Sequence, residues 1–142
     1  MKNTLEYLSQ FKDKGGIYIV RPKSIKILED ICLKLNFDFV SEVAYIGKAE
    51  KTKTSDLFNR GKQEMGWSNF EGATFVRKIG RFLDFDIKDK KNKNLQEQTR
   101  EFICNNFTIE CIEFTENIQD IETKYIHEFS PCFNVKKLKI KK

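Results

Sequence analysis

The sequence has a single histidine, and its four cysteines include no closely spaced pair. A mechanism in which histidine activates serine or cysteine is therefore not expected, since His127 falls on the polar side of its predicted helix. A structural zinc site needs ligands in close pairs, and only Cys132 has another candidate ligand within five residues, so zinc is not expected either. We predict instead that the cysteines are small apolar residues of the core.

Long apolar stretches are also missing. No run of about 18 apolar residues is present, which excludes a membrane-spanning helix of the usual kind. The first 14 residues carry charges where a signal peptide would have an apolar core. These absences predict a cytoplasmic protein with no membrane partner.

The sequence does have a large apolar content and an uneven charge distribution. Leucine, isoleucine, valine and phenylalanine account for 42 of the 142 residues, enough for one buried core. The formal charge is +5, but five of the last seven residues are lysines, and residues 1–135 carry equal numbers of acidic and basic side chains. The basic pI therefore belongs to the tail, residues 136–142, which is either a non-specific arm for DNA phosphates or a solubilising end.

Helical and strand patterns alternate along the chain. Apolar spacing and turn residues predict helices over 3–12, 24–36, 69–83, 95–105 and 118–129, a further helix beginning at Thr54 or Ser55, and strands over 17–20, 42–47 and 107–114. Residues 88–93 are predicted to be a lysine-rich loop, and Asn117 is the predicted cap of the last helix. Three short strands among helices favour a small α/β domain.

The last predicted helix has one carboxylate on its apolar side. With Ile118 taken as zero and an advance of about 100° per residue, Tyr125 and Phe129 fall within about 20° of it. Glu122 falls at about 40°, inside the same apolar stripe. A carboxylate that faces a core is costly unless it has a cation or hydrogen-bond donors. The pattern leaves two explanations open, a functional residue or a glutamate that pairs with a lysine at the edge of the stripe.

Two tripeptides stand in predicted strands, Gly16-Ile17-Tyr18 in the first and Tyr45-Ile46-Gly47 at the end of the second. The residues that follow them in order are Arg60, Ile121-Glu122, Tyr125-Ile126, Pro131, Phe133 and Asn134. Over residues 15–135 this ordered set resembles the GIY-YIG nuclease family. The resemblance implies one domain, residues 1–142, of the α+β type, with a three-stranded antiparallel sheet flanked by helices. The implied activity is metal-dependent hydrolysis of a DNA phosphodiester.

Carried over position by position, the resemblance implies a catalytic site. The implied catalytic residues are Tyr18, Tyr45, Arg60 and Glu122, with Lys48 and Asn134 as auxiliary residues. Glu122 would hold one Mg²⁺ or Mn²⁺ ion, and Arg60 would pair with a phosphate. Tyr18 is the preferred base for the attacking water and Lys48 the reserve, while Tyr45 would orient water or phosphate. We expect the four residues to converge on one cleft, with Tyr18 and Glu122 on the same side of the sheet.

Two features depart from the family pattern. Tyr18 and Tyr45 are separated by 26 residues, and residues 22–41 are predicted to form an inserted helix outside the sheet, away from the cleft or along its rim. One helical turn after Arg60, where many relatives have a histidine or tyrosine, this chain has Glu64. That leaves open whether Glu64 adds a hydrogen-bond acceptor to the site.

Arg77, Lys78 and Arg81 project from neighbouring parts of one predicted helix, and either bind DNA phosphates or form solvated surface. The predicted function is a metal-dependent DNA endonuclease. The alternatives are a catalytically silent nucleic-acid-binding module of the same fold and a structural partner-binding domain. A chain of this length leaves little room for a separate recognition domain, so target selection is expected to depend on insertions, on a homodimer or on a partner protein.

Overall fold

The computed structural model describes residues 2–68, 73–85 and 93–134. The elements in chain order are α1 (Lys2–Ser9), β1 (Gly16–Pro22), α2 (Ile25–Leu35), β2 (Tyr45–Ala49), α3 (Leu57–Glu64), α4 (Thr74–Phe82), α5 (Lys93–Asn106), β3 (Phe107–Glu113) and α6 (Ile118–Phe129). The predicted α+β fold with a three-stranded antiparallel sheet flanked by helices is confirmed. The inserted helix, α2, lies outside the sheet.

The sheet has the strand order β2-β1-β3, so β1 is central and both of its neighbours run antiparallel to it. Tyr18 in β1 pairs with Gly47 in β2 on one side and with Cys111 in β3 on the other. Residues 16–20 are all buried, because helices cover both faces of this strand. The outer edge of β2 pairs with no further strand among the described residues.

Alternation along β1 separates two apolar clusters on opposite faces of the sheet. Tyr18 and Val20 belong to the larger cluster, which also takes in buried side chains of α1 to α5. Ile17 and Ile19 belong to the smaller cluster, against which α6 packs. This division decides the side of the sheet on which each predicted site residue lies.

The start of α3 differs from the prediction. Its cap is Asp56, and neither Thr54 nor Ser55, because the Asp56 carboxylate accepts hydrogen bonds from two backbone amides. One oxygen accepts from Asn59 N at 2.7 Å, and the other from Asp13 N at 2.8 Å. A carboxylate also complements the positive end of the helix dipole. The cap therefore joins α3 to the turn after α1 as well as starting the helix.

Other boundaries also shift. The first helix ends at Ser9 and not at residue 12, and β2 begins at Tyr45 and not at residue 42. The carbonyls of Val43 and Ala44 instead accept hydrogen bonds from the segment after α6. Asn117 precedes α6 in the left-handed conformation and makes no side-chain capping bond, so its predicted capping role is wrong.

Parts of some predictions lie outside the described residues. These are 69–72 of the predicted fourth helix, 88–92 of the lysine-rich loop, and the tail, residues 136–142. Within the described residues, the four cysteines are free and buried and His127 is exposed, as predicted. No described helix combines the length and apolar character needed to cross a membrane.

Candidate active site

Both motif glycines stand where neighbouring atoms occupy the space of a side chain. A Cβ at Gly16 would overlap the carbonyl oxygen of Ile112 in β3. A Cβ at Gly47 would overlap Cζ and Oη of Tyr18, its partner across the strand pair. The glycine of the second tripeptide therefore makes room for the tyrosine of the first. The two tripeptides are a single packing unit of the sheet.

Tyr18 is fully buried, and its hydroxyl donates a hydrogen bond to Glu64, with Oη and Oε2 2.9 Å apart. Burial raises the pKa of Tyr18 well above its usual value, and the negative charge of Glu64 raises it further. Tyr18 is therefore a neutral phenol whose proton is already directed at a protein acceptor. A base for the attacking water must be reached by that water, and the role of Tyr18 as the base stays a prediction.

Glu64 is also fully buried and accepts three hydrogen bonds. Besides the Tyr18 hydroxyl on Oε2, its Oε1 accepts from Phe75 N at 2.9 Å and from Val76 N at 3.3 Å, in the first turn of α4. Burial raises the pKa of Glu64, and the hydrogen bonds and the charge of Arg60 oppose that rise only in part. Glu64 thus adds an acceptor beneath the site.

Tyr45 lies beside Tyr18, with ring centroids 6.2 Å apart, and stacks on Phe75 of α4 at 6.4 Å. Burial and then the charge of Glu64 raise the pKa of Tyr45 to about 12, although a hydrogen bond with the Thr74 side chain opposes the rise. Tyr45 is therefore a neutral phenol too, but unlike Tyr18 it keeps part of its surface exposed.

Glu122 is partly exposed on α6. Burial raises its pKa, and the positive charge of Lys48, a hydrogen bond from Gln119 and the charge of Arg60 oppose that rise. The Gln119 Nε2 atom lies 3.4 Å from Glu122 Oε1. The carboxylate of Glu122 in turn raises the pKa of Tyr45. Glu122 is thus within electrostatic range of a motif tyrosine and two cations from other elements.

The predicted catalytic residues belong to elements that pack on both faces of the sheet. Tyr18 belongs to the cluster on one face, whereas α6, which carries Glu122, packs on the other. Arg60 is the residue common to all, because its charge acts on the pKa of Tyr18, of Tyr45 and of Glu122. The expectation that Tyr18 and Glu122 lie on the same side stays a prediction, since the charge of Glu122 also acts on Tyr45, which packs on the Tyr18 side. The candidate site extends around the open edge of β2, with Tyr18 buried behind it.

Lys48 lies on the face of the sheet opposite to Tyr18, because it pairs with Ile17 across the strands. Its ammonium group makes an ion pair with Glu50 at 2.9 Å, and its side chain is partly exposed. Of the two candidate bases, Lys48 is therefore the one that solvent reaches on the side of α6.

Asn134 pairs with the open edge of β2. Its Oδ1 accepts a hydrogen bond from Ile46 N at 2.8 Å, and its Nδ2 donates to Ile46 O at 2.7 Å. One side chain thus satisfies both backbone groups of the residue between Tyr45 and Gly47. Asn134 holds the second tripeptide in register, which gives this auxiliary residue a structural position.

Replacing Asn134 with alanine is expected to lower the free energy of unfolding by about 1–3 kcal/mol, because both backbone groups of Ile46 lose their partner. Asn134→Asp keeps the acceptor for Ile46 N but places an oxygen against Ile46 O, so it should also destabilise. Urea denaturation measures both. Midpoints equal to that of the wild type would show that water replaces Asn134 at this edge without cost.

The three basic residues predicted to bind DNA lie together on α4. Arg77, Lys78 and Arg81 line a depression of about 180 Å³ with Thr74. The Lys78 ammonium lies 4.8 Å from the ring centroid of Phe37, in the segment after α2. Since Thr74 also bonds Tyr45, this depression adjoins the candidate site.

The three-stranded antiparallel sheet flanked by helices agrees with a comparison to known families. A model of the GIY-YIG catalytic domain matches residues 16–142. No curated protein and no solved structure gives a significant match. The domain type implies a nuclease that acts on nucleic acid. Because the matched range includes both tripeptides, Arg60, Glu122 and Asn134 and spans most of the chain, this protein belongs to the GIY-YIG family.

Proposed function

We propose that this protein is a metal-dependent DNA endonuclease that hydrolyses phosphodiester bonds with one divalent cation. The observation that carries the proposal is the environment of Glu122, a partly exposed carboxylate within electrostatic range of Lys48 and Arg60 at the open edge of β2. The carboxylate can hold a metal ion, and the cations beside it can bind the phosphate oxygens of a substrate.

The donor set fits a hard cation such as Mg²⁺ or Mn²⁺. Mg²⁺ keeps several waters and is usually held by one or two carboxylates together with substrate phosphates. Within the described residues no group of three or more candidate ligands occurs, and the family resemblance gives Glu122 as the protein ligand. A bound ion would neutralise phosphate charge and make a coordinated water more acidic.

The remaining groups have separate roles in this proposal. The guanidinium of Arg60 stays charged, and its donors match the geometry of a phosphate. Its charge acts on Tyr45 and Glu122, which supports a phosphate-binding role for Arg60 at this site. Tyr45, as a neutral phenol, orients water or phosphate by a hydrogen bond. Proton removal from water stays a prediction, with Tyr18 or Lys48 as the base, while the charge of Lys48 opposes the rise in the pKa of Glu122.

DNA would extend from the β2 edge along α4. Thr74 connects Tyr45 to the depression, and the side chains of Arg77, Lys78 and Arg81 supply positive charge for the flanking phosphates. The basic tail and a homodimer or partner protein for target selection stay predictions.

The protein is expected to nick or linearise supercoiled plasmid in the presence of Mg²⁺ or Mn²⁺. Cleavage should stop when EDTA is added and resume when the cation is restored in excess, because catalysis depends on one weakly held ion. Gel electrophoresis of the plasmid measures this. Undiminished cleavage by a chelator-treated preparation would contradict the metal mechanism. Binding without cleavage under every cation tested would favour the alternative, a catalytically silent nucleic-acid-binding module.

A further inference from the structure

Glu64 is a fully buried carboxylate whose described hydrogen-bond partners are all donors. They come from two other elements, the hydroxyl of Tyr18 in β1 and the amides of Phe75 and Val76 in α4. Its own helix contributes the charge of Arg60. One side chain thus joins the central strand, the arginine helix and the helix that carries the basic depression.

A buried carboxylate is a costly way to make these bonds. Removing a charge from water has a penalty that hydrogen bonds offset only in part, and burial raises the pKa of Glu64 despite its three donors. A neutral acceptor would cap α4 at a lower cost. The charge therefore needs a reason other than stability, and each partner of Glu64 adjoins the candidate site.

The two oxygens have different consequences. Because Oε2 accepts from Tyr18, the phenolic proton points to Glu64, and the other side of the Tyr18 oxygen can act only as an acceptor. Because Oε1 accepts from Phe75 and Val76, the start of α4 is fixed beside Thr74, whose side chain bonds Tyr45. The charge of Glu64 also raises the pKa of both tyrosines.

We propose that Glu64 is a positioning residue of the nuclease site: it fixes the direction of the Tyr18 hydroxyl and the start of α4 beside Tyr45. The catalytic part of this role rests on the nuclease activity proposed above. The structural part does not, and is measured separately.

Glu64→Gln separates charge from shape. The glutamine oxygen still accepts from the α4 amides, but its NH₂ group then faces Tyr18 and turns that oxygen from donor to acceptor. Tyr18→Phe removes the same bond from the other side and keeps the ring packing. Glu101→Gln is the matched control, because it removes one carboxylate from an exposed position on α5.

The kinetic expectation is a fall in kcat of about ten- to a hundredfold for Glu64→Gln, the size of a lost hydrogen bond to a charged group, with little change in DNA affinity. Tyr18→Phe should lower kcat similarly. The double variant should be no slower than the slower of the two single variants, because both substitutions remove the same hydrogen bond between Tyr18 and Glu64. Glu101→Gln should match the wild type.

A second measurement needs no activity. The groups facing Glu64 are Tyr18, Tyr45 and Arg60, while α4 contributes the amides of Phe75 and Val76. Since the pKa of Glu64 is raised in the folded state above 4.5, the folded state binds the proton more tightly. The unfolding free energy of the wild type should therefore contain a component that falls as pH rises from about 4.5 through the folded pKa. This component should be absent from Glu64→Gln and present in Glu101→Gln.

Tyr18 itself gives the third readout. In NMR titrations, the ring carbon bonded to the Tyr18 oxygen should show ionisation at a lower pH in Glu64→Gln than in the wild type. The proposal would be overturned if Glu64→Gln folded and had an unchanged kcat. It would also be overturned if the Tyr18 titration were unchanged in this variant and the pH-dependent component of its stability were retained. A wild type that cleaves no DNA would refute the proposed function alone, and the stability and titration results would still decide the role of Glu64.

Discussion

Glu122→Gln is expected to reduce DNA cleavage by on the order of a hundredfold or more, because a neutral amide does not replace the one carboxylate available to a hard cation. DNA affinity should change little, since basic side chains supply most of the attraction to phosphate. Initial rates on supercoiled plasmid and titrations with labelled duplex measure the two effects. Glu122→Ala should behave in the same way.

Glu128→Gln is the matched control for this experiment, because Glu128 is an exposed glutamate of the same helix. Neither variant should unfold. Burial raises the pKa of Glu122, so its charge is not a source of folding stability at neutral pH. Normal cleavage by Glu122→Gln would reduce Glu122 to a surface carboxylate within electrostatic range of Lys48.

Gly47→Ala is expected to lower the free energy of unfolding by about 1–3 kcal/mol or more, because a Cβ at this position overlaps the end of the Tyr18 ring. Tyr18 has no free space to enter, since it is fully buried and bonded to Glu64. Cleavage should fall as well, because Tyr45 lies two residues away on the same strand. Urea denaturation and the plasmid assay measure the two losses.

A double-mutant cycle identifies the clash. In a Tyr18→Ala background, which is itself destabilised, Gly47→Ala should cost much less than in the wild type. Gly61→Ala is the control, because there a new Cβ meets the end of the Leu8 side chain and not Tyr18, so its cost should be the same in both backgrounds. Equal costs of Gly47→Ala in both backgrounds would show that Tyr18 is not the obstacle.

Local patterns predicted the features that depend on residues close in sequence. The apolar periodicity of α6 located Glu122 near an apolar stripe, and the structure places that residue at partial exposure beside it. Alternating strands and helix boundaries were predicted to within a few residues for α2, β3 and α6. The cap of α3 was misplaced by one or two residues although its bond to Asn59 N is local, and only its second bond, to the amide of Asp13, joins residues distant in sequence.

The role of Glu64 was not predictable from periodicity. Its only signal was a departure from the family pattern at the position one turn after Arg60. Its partners are 46 residues away in Tyr18 and 11 residues away in Phe75, so no local rule brings them together. The burial of Tyr18 was missed for the same reason, since strand alternation states which residues share a face but not which helix covers that face.

By itself the sequence determined the family, the α+β fold and the set of residues from which a site is built, because the tripeptides and their order are properties of the chain. Only the tertiary structure decided which of them lie together. Packing α6 against one face and α1 to α5 against the other buries Tyr18, leaves Glu122 partly exposed, and brings both within range of the charge of Arg60. The physical reason is that burial and charge–charge distances are set by how whole elements pack, so the protonation and accessibility of each candidate residue follow from contacts far apart in sequence.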